Sequence, residues 1–258
     1  MAWRNSLEKF LVVVLVMLNS DRTVTPVFGA KILFIPNHVN SHVLYFSRLA
    51  ADLTQFGHVT RVLAPANARV PSFVAEVESG GNFSYTKYPV DGDEPFVNSR
   101  HVSEVLTRLA MSQSVLEKFS VMSDLVKELY SHYESDCVRL LENVHLMQQI
   151  RGGGFQFAVV DPVIPQCYLA IPYSLGIRYA FLSFPAFTWT YRVPRLPSFS
   201  STLPGLGYTD QMTLVQRLTT FIFESLDLLQ FQYETTTYLA QLAPDRPVLS
   251  SYQLIEKV

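Results

Sequence analysis

The chain has 258 residues, of which 48% are hydrophobic and 16% are charged, and its formal net charge is −2. A chain of this length and composition can bury a substantial core, which excludes a disordered or fibrous protein. It has no excess of basic residues to neutralise a nucleic-acid backbone, so we expect no nucleic-acid partner.

The N-terminus has the pattern of a secretory signal peptide. Arg4 and Lys9 precede the nine apolar residues Phe10–Leu18. A retained membrane anchor is the alternative, but nine apolar residues are too few to cross a hydrocarbon core of about 30 Å. We therefore expect residues 1–29 to be a signal peptide and residues 30–258 to be a mature, lumenal or secreted chain.

Two further features bear on the compartment. Asn82-Phe83-Ser84 is an N-glycosylation sequon, which is consistent with the secretory route. The two cysteines, Cys137 and Cys167, fit neither a zinc-site spacing nor a disulfide framework. In a chain of this size such a pair is typical of two buried thiols, and a single bridge is the alternative.

The first elements predict a parallel β-α-β unit. An apolar strand over Lys31–Pro36 precedes residues whose apolar side chains recur at helical spacing, up to a stop at Gly57. Val59–Pro65 resumes as a second strand, and such a crossover is right-handed. Ser41 lies where it could cap the N-terminus of the helix.

The later elements repeat this alternation. We predict strands over residues 83–89, 155–160 and 177–183, and helices over much of 101–150, over 165–175 and over 212–231. Gly152-Gly153-Gly154 is predicted to be a loop, because a phosphate-binding fingerprint would follow a strand and open a helix. The fold class is therefore α/β with a parallel sheet.

A histidine and an aspartate follow two of the predicted strands. His42 lies beyond the first strand, and Asp161 ends the strand over residues 155–160. The carboxyl ends of parallel strands share one edge of a sheet, so these side chains could meet there as a base and its partner. The alternatives are a histidine of the capping turn and a carboxylate that accepts backbone donors. His38, in the same turn, is a second candidate for the base.

We expect no catalytic role for the remaining histidines. His58 follows Gly57 and is predicted to close the helix. The other three are predicted to lie on the surface or on helix faces, and they are His101, His132 and His145.

Several segments, in order, resemble the N-terminal half of the UDP-glucuronosyltransferases, a family of UDP-sugar-dependent glycosyltransferases. The likeness covers about the whole chain after the signal. The segments are Ile35-Pro36 with Ser41-His42, Gly57-His58 with Val62–Pro65, Leu140–Asn143 with Leu146-Met147 and Phe155–Asp161, and Met212–Arg217.

The resemblance implies an acceptor-binding, Rossmann-like domain over residues 30–258, with helices on both faces of the sheet, as in the N-terminal half of a GT-B glycosyltransferase. It implies that His42 is the catalytic base and Asp161 its partner, in an inverting transfer of glucuronate or a hexose from a UDP-sugar. It implies no metal and no cofactor besides the UDP-sugar co-substrate. The family's nucleotide-sugar signature and membrane-spanning tail find no match, so we expect the C-terminal donor domain and tail to be absent.

The acceptor is expected to be a small lipophilic hydroxyl compound in an apolar pocket. Ser41 and four aromatic residues beyond a predicted strand end are the candidate contacts, and the aromatics are Phe184, Phe187, Trp189 and Tyr191. Core or interdomain packing is an equal alternative for the aromatics.

Three hypotheses follow for the activity. The first is a UDP-glycosyltransferase, located in the endoplasmic reticulum lumen or on its membrane as in the full-length family. The second is a truncated, non-catalytic family member that binds acceptors or pairs with complete enzymes as a homo- or hetero-oligomer. The third is an unrelated binding protein, for which His42 and Asp161 would lie far apart.

Overall fold

The computed structural model describes residues 29–74, 77, 80–90, 92, 100–112, 114–161, 166–182, 211–230, 243–247, 249 and 253. The strands are β1 (Lys31–Ile35), β2 (Val59–Pro65), β3 (Phe83–Tyr88), β4 (Phe157–Val160) and β5 (Arg178–Phe181). The helices are α1 (Asn40–Gln55), α2 (Arg100–Met111), α3 (Val115–Glu142), α4 (Val144–Gly152), α5 (Ala170–Leu175) and α6 (Leu214–Gln230), and a 3₁₀ helix spans Gln166–Leu169.

All five strands pair in parallel, in the order β3-β2-β1-β4-β5. This confirms the predicted α/β fold with a Rossmann-like sheet. The chain builds outward from β1 to β3 and then returns to the other side of β1 to add β4. The order therefore reverses between β1 and β4.

Apolar side chains cover both faces of the sheet. Along β1, Leu33 and Ile35 belong to one buried cluster, and Ile32 and Phe34 belong to another. The first cluster includes residues of α3, α4 and α5, whereas the second includes the inner face of α1. Burial on both faces explains why β1 is a continuous apolar run rather than an alternating one.

The predicted helix stops agree with the structure. Gly57 and Gly176 adopt positive φ angles of 89° and 71°, which glycine reaches without the steric cost of a Cβ. Of the loop predicted over Gly152–Gly154, Gly152 is instead the last residue of α4, whereas Gly153 and Gly154 form the predicted break before β4. The segment predicted as a helix over 165–175 begins with the 3₁₀ turn and continues as α5.

Two local predictions are wrong. Ser41 does not cap α1, because the N-cap lies two residues earlier, at Val39, and no side chain forms a capping hydrogen bond there. Cys137 and Cys167 are not free thiols, because they form a disulfide that joins α3 to the 3₁₀ helix. Their Cα atoms are 6.3 Å apart although 30 positions separate them in sequence. Sequence spacing carried no signal for that approach, since the packing of α3 creates it.

Candidate active site

The candidate site lies where the strand order reverses. In open parallel sheets, ligands bind in the crevice outside the carboxyl ends of the two strands that flank such a reversal. Here those strands are β1 and β4. His42 lies in the first turn of α1, beyond β1, and Asp161 directly follows β4.

The backbone aligns these two residues before their side chains meet. The N–H of Asp161 donates to the carbonyl of Ile35 at 2.9 Å, which continues the pairing of β1 with β4 past the end of the strand. The N–H of His42 donates to the carbonyl of Val39 at 2.9 Å, within the first turn of α1. Both side chains therefore project from backbone that is already hydrogen-bonded.

The structure brings the predicted histidine and aspartate into direct contact. Nδ1 of His42 lies 2.5 Å from Oδ2 of Asp161. The same Oδ2 accepts the backbone N–H of Asn37 at 3.1 Å. The carboxylate thus contacts one group from the turn that connects β1 to α1, the Asn37 N–H, and one from the first turn of α1, the His42 imidazole.

His42 and Asp161 differ in their exposure to solvent, and therefore in whether they can contact a substrate. The side chain of His42 is 20% exposed, whereas that of Asp161 is fully buried. The imidazole can therefore reach a bound molecule and the carboxylate cannot. With Nδ1 directed to Asp161, Nε2 is the ring nitrogen suited to proton transfer, and the carboxylate can stabilise the imidazolium.

His38, the second candidate for the base, lies in a different environment. Its side chain is 3% exposed, which leaves it no access to a substrate. Its Nδ1 lies 3.1 Å from Oδ2 of Asp136, and its Nε2 lies 2.5 Å from the hydroxyl of Tyr168 and 2.6 Å from that of Tyr88. The two hydroxyls are 3.1 Å apart. We call His38, Tyr88, Asp136 and Tyr168 the His38 cluster.

Burial keeps both phenols of the His38 cluster protonated. Desolvation raises the pKa of Tyr88 above its ordinary value, and the nearby charge of Asp136 raises it further, although the hydrogen bond with Tyr168 opposes the rise. Desolvation also raises the pKa of Tyr168, and its contact with Tyr88 adds to the effect. Protonated phenols can donate to an imidazole nitrogen, so the cluster is a hydrogen-bonded polar group within the core.

Of the other predicted site residues, Ser41 directly precedes His42, Asn82 lies next to a different element, and the remainder fall outside the described structure. Ser41 is exposed on α1, and Asn82 is exposed immediately before β3. The four aromatic residues proposed for the acceptor pocket lie outside the described residues, and these are Phe184, Phe187, Trp189 and Tyr191. Their roles, and glycosylation of Asn82, stay predictions.

The remaining histidines lie where we expected. His58 is buried between α1 and β2, and Nδ1 of His58 has no hydrogen-bond partner among the described residues. The other three are exposed, and they are His101, His132 and His145.

Within the described ranges, no group of three or more His, Cys, Asp or Glu side chains could hold a metal ion. A search of the same ranges for a helix long and apolar enough to cross a membrane also finds none.

Sequence reasoning missed Asn37 and the partners of His38. Asn37 contributes a backbone N–H, which no side-chain pattern reveals. Asp136 and Tyr168 are the direct neighbours of Cys137 and Cys167. A disulfide between those cysteines, had we predicted it, would have placed the acid and the phenol close together.

Comparison with known proteins agrees with the resemblance noted from the motifs. The family model described as UDP-glucoronosyl and UDP-glucosyl transferase matches residues 30–249. Mouse UDP-glucuronosyltransferase 2A2 is 29% identical over 195 residues, which is 72% of this chain and 36% of that protein. Human 2-hydroxyacylsphingosine 1-beta-galactosyltransferase is 25% identical over 196 residues, which is 74% of this chain and 32% of that protein. The chain thus spans about a third of the length of these curated relatives.

Among solved structures, glycosyltransferase VinC in complex with DTDP is 15% identical, with 87% of this chain and 46% of that chain covered and a TM-score of 0.42. Phytolacca americana UGT2, complexed with UDP-2fluoro-glucose and pterostilbene, is 12% identical, with 68% and 34% covered and a TM-score of 0.40. Both scores are below 0.5, so the family assignment rests on the sequence match. That match covers well over half of the chain, and the chain belongs to the UDP-glucoronosyl and UDP-glucosyl transferase family.

Proposed function

We propose that this chain supplies the acceptor-binding half of a UDP-sugar-dependent glycosyltransferase, which transfers glucuronate or a hexose to a hydroxyl of a small lipophilic compound. The observation that carries the proposal is the 2.5 Å contact between His42 and Asp161 at the reversal of strand order. Family membership supplies the reaction class, and the pair supplies a base for it.

In the proposed reaction His42 acts as the base. The acceptor oxygen forms a bond to the anomeric carbon of the sugar, and the bond from that carbon to the UDP oxygen breaks with its electron pair leaving on UDP. The acceptor proton passes to Nε2 of His42, and Asp161 stabilises the resulting imidazolium through Nδ1. A single displacement of this kind inverts the anomeric configuration. The co-substrate is the UDP-sugar, and we propose no metal or separate cofactor.

The name of one relative supports a lipophilic acceptor. The human galactosyltransferase is named for 2-hydroxyacylsphingosine, an alcohol with long hydrocarbon chains. The acceptor contacts proposed for this chain are Ser41 and the four aromatics Phe184, Phe187, Trp189 and Tyr191.

The test is sugar transfer to a panel of phenols, with UDP-glucuronate and UDP-glucose as donors. The chain is assayed alone and joined to the donor-binding half of a family member, each with and without His42→Ala. We expect transfer by the joined form and a loss of about 10²–10⁴-fold in His42→Ala, the range typical of a removed general base. His101→Ala, at an exposed histidine, is the matched control and should leave turnover unchanged.

Each alternative outcome is informative. Unchanged turnover in joined His42→Ala would remove His42 from the mechanism. Acceptor binding without transfer in both forms would instead indicate a binding or regulatory protein that pairs with complete family members.

We also propose that the chain resides in the endoplasmic reticulum lumen or is secreted. The disulfide supports this location, because disulfides persist in oxidising compartments and are rare in the cytosol. The exposed position of Asn82 is consistent with a glycan on that route.

A further inference from the structure

The His38 cluster is a buried polar group that the proposed reaction does not use. Burying polar side chains is unfavourable unless their hydrogen bonds are satisfied, and a well-packed apolar core of the same volume is often as stable. Each member of the cluster except His38 comes from a different element: Tyr88 from β3, Asp136 from α3 and Tyr168 from the 3₁₀ helix. The cluster therefore ties three elements to one imidazole.

That imidazole belongs to the turn that carries the candidate active site. His38 directly follows Asn37, whose backbone N–H donates to Asp161, and it precedes Val39, whose carbonyl accepts the N–H of His42. The side-chain oxygen of Asn37 is buried and makes no hydrogen bond to any described residue. Asn37 is thus held through its backbone and its neighbours rather than through that oxygen.

The disulfide fixes the far side of the same cluster. Cys137 follows Asp136 on α3, and Cys167 precedes Tyr168 on the 3₁₀ helix. The covalent bond therefore limits how far the residues that carry the carboxylate and one phenol can move apart, and these two groups contact opposite ring nitrogens of His38. The ring of Tyr133, one turn before Cys137 on α3, also packs against that imidazole, with the two ring centroids 4.6 Å apart.

We propose that His38 is a positioning residue, which fixes the turn that aligns His42 with Asp161. Contacts with Tyr88, Asp136 and Tyr168 hold the imidazole in place. The Cys137–Cys167 disulfide restrains two of those three partners. This inference rests on the proposed function insofar as it concerns turnover, but the alignment itself is a property of the folded chain. Near-complete burial of His38 excludes contact with substrate, so its effect acts through the backbone of residues 37–39.

The first test measures alignment without any reaction. In proton NMR of the 258-residue chain, the Nδ1 proton of His42 is identified by its loss in His42→Ala, and its exchange with water is timed. In His38→Phe, which keeps a ring but removes both nitrogens, we expect that proton to exchange at least about tenfold faster, because the contact with Asp161 opens more often. The control is His58→Phe, since His58 is equally buried at 3% exposure but lies away from the pair.

Tyr168→Phe is a second, milder variant, which tests the same proposal if His38→Phe does not fold. It removes one hydroxyl from the cluster and keeps the ring, and we expect a smaller acceleration in the same direction. Unchanged exchange in a folded His38→Phe or Tyr168→Phe chain would overturn the proposal, as would an equal acceleration in His58→Phe.

The second test measures turnover in the joined enzyme. We expect His38→Phe to lower kcat by about tenfold or more while KM for the acceptor changes little, because misalignment of a base affects the chemical step. Unchanged kcat, or an equal loss in His58→Phe, would contradict the proposal.

The two tests separate failure of this inference from failure of the proposed function. If the wild-type joined enzyme transfers no sugar, the proposed function fails, and the exchange rate of the His42 proton still decides whether His38 aligns the pair.

Discussion

His38 and His42 lie four positions apart in the sequence, and each contacts an aspartate. They differ in how far their side chains are exposed to solvent. His42 lies beyond the carboxyl end of β1 with a partly exposed ring, and Nδ1 of that ring contacts Asp161. His38 lies within the core, where both ring nitrogens have polar partners. The comparison teaches that a histidine-aspartate contact defines a chemical role only together with its exposure, because a base must touch its substrate.

The largest expected effect comes from Asp161→Asn, which keeps the shape of the side chain but removes its charge. We expect turnover of the joined enzyme to fall by about 10³–10⁴-fold, because the amide neither orients the imidazole correctly nor stabilises its charged form. Steady-state kinetics measure the effect. Asp52→Asn, at a residue of α1 paired with Arg48, is the control. A loss of turnover below tenfold would mean that Asp161 has a structural role, as we expect of Asp136, and not a role in the reaction.

The disulfide beside the His38 cluster should make the largest single contribution to stability among the groups compared. We expect Cys137→Ala with Cys167→Ala to lower the free energy of unfolding by roughly 3–4 kcal/mol, because the bridge closes a loop of 30 positions. Urea denaturation under oxidising conditions measures the change. Treatment of the wild type with a dithiol reductant should reproduce it. A wild type insensitive to reductant would show that the two elements are held by packing alone.

Asp136→Asn makes the same change beside His38 that Asp161→Asn makes beside His42, so the two variants compare the two histidines directly. We expect it to reduce stability by about 1–3 kcal/mol, through the weakened contact with His38, and to affect turnover far less than Asp161→Asn does. Denaturation and kinetics on the same preparation separate the two effects. Equal losses of turnover in the two variants would mean that both aspartates serve the chemistry directly.

The smallest expected effect is at Ser41, which lies between the two histidines. We expect Ser41→Ala to change stability by less than about 0.5 kcal/mol, because Ser41 is exposed and caps nothing. Ser114→Ala is the informative counterpart, since its side chain accepts the N–H of Glu117 at the start of α3, and its loss should cost about 1 kcal/mol. Thermal melts compare the two. A large effect of Ser41→Ala on acceptor affinity alone would support its predicted contact with substrate.

Most of the fold was predictable because its signals are local. The apolar run of β1, the stops at Gly57 and Gly176 and the break at Gly153 each follow from periodicity or backbone freedom at a few neighbouring residues. The start of α1 was not predictable, because the helix has Val39 at its N-cap, two residues before Ser41, with no side-chain capping signal there to mark the boundary. The contact between His42 and Asp161 was predictable because each follows a strand of the same parallel sheet, and their catalytic roles stay predictions.

By itself the sequence determined the α/β class, the parallel sheet, the family and the two residues of the candidate pair. These follow from strand ends and from the order of motifs, which are local features of the sequence. Only the tertiary structure decided the burial of His38, its partners Asp136, Tyr88 and Tyr168, and the disulfide. These depend on side chains from three elements that converge only when α3 and the 3₁₀ helix pack against the sheet. Burial, which distinguishes the two histidines, arises from that packing.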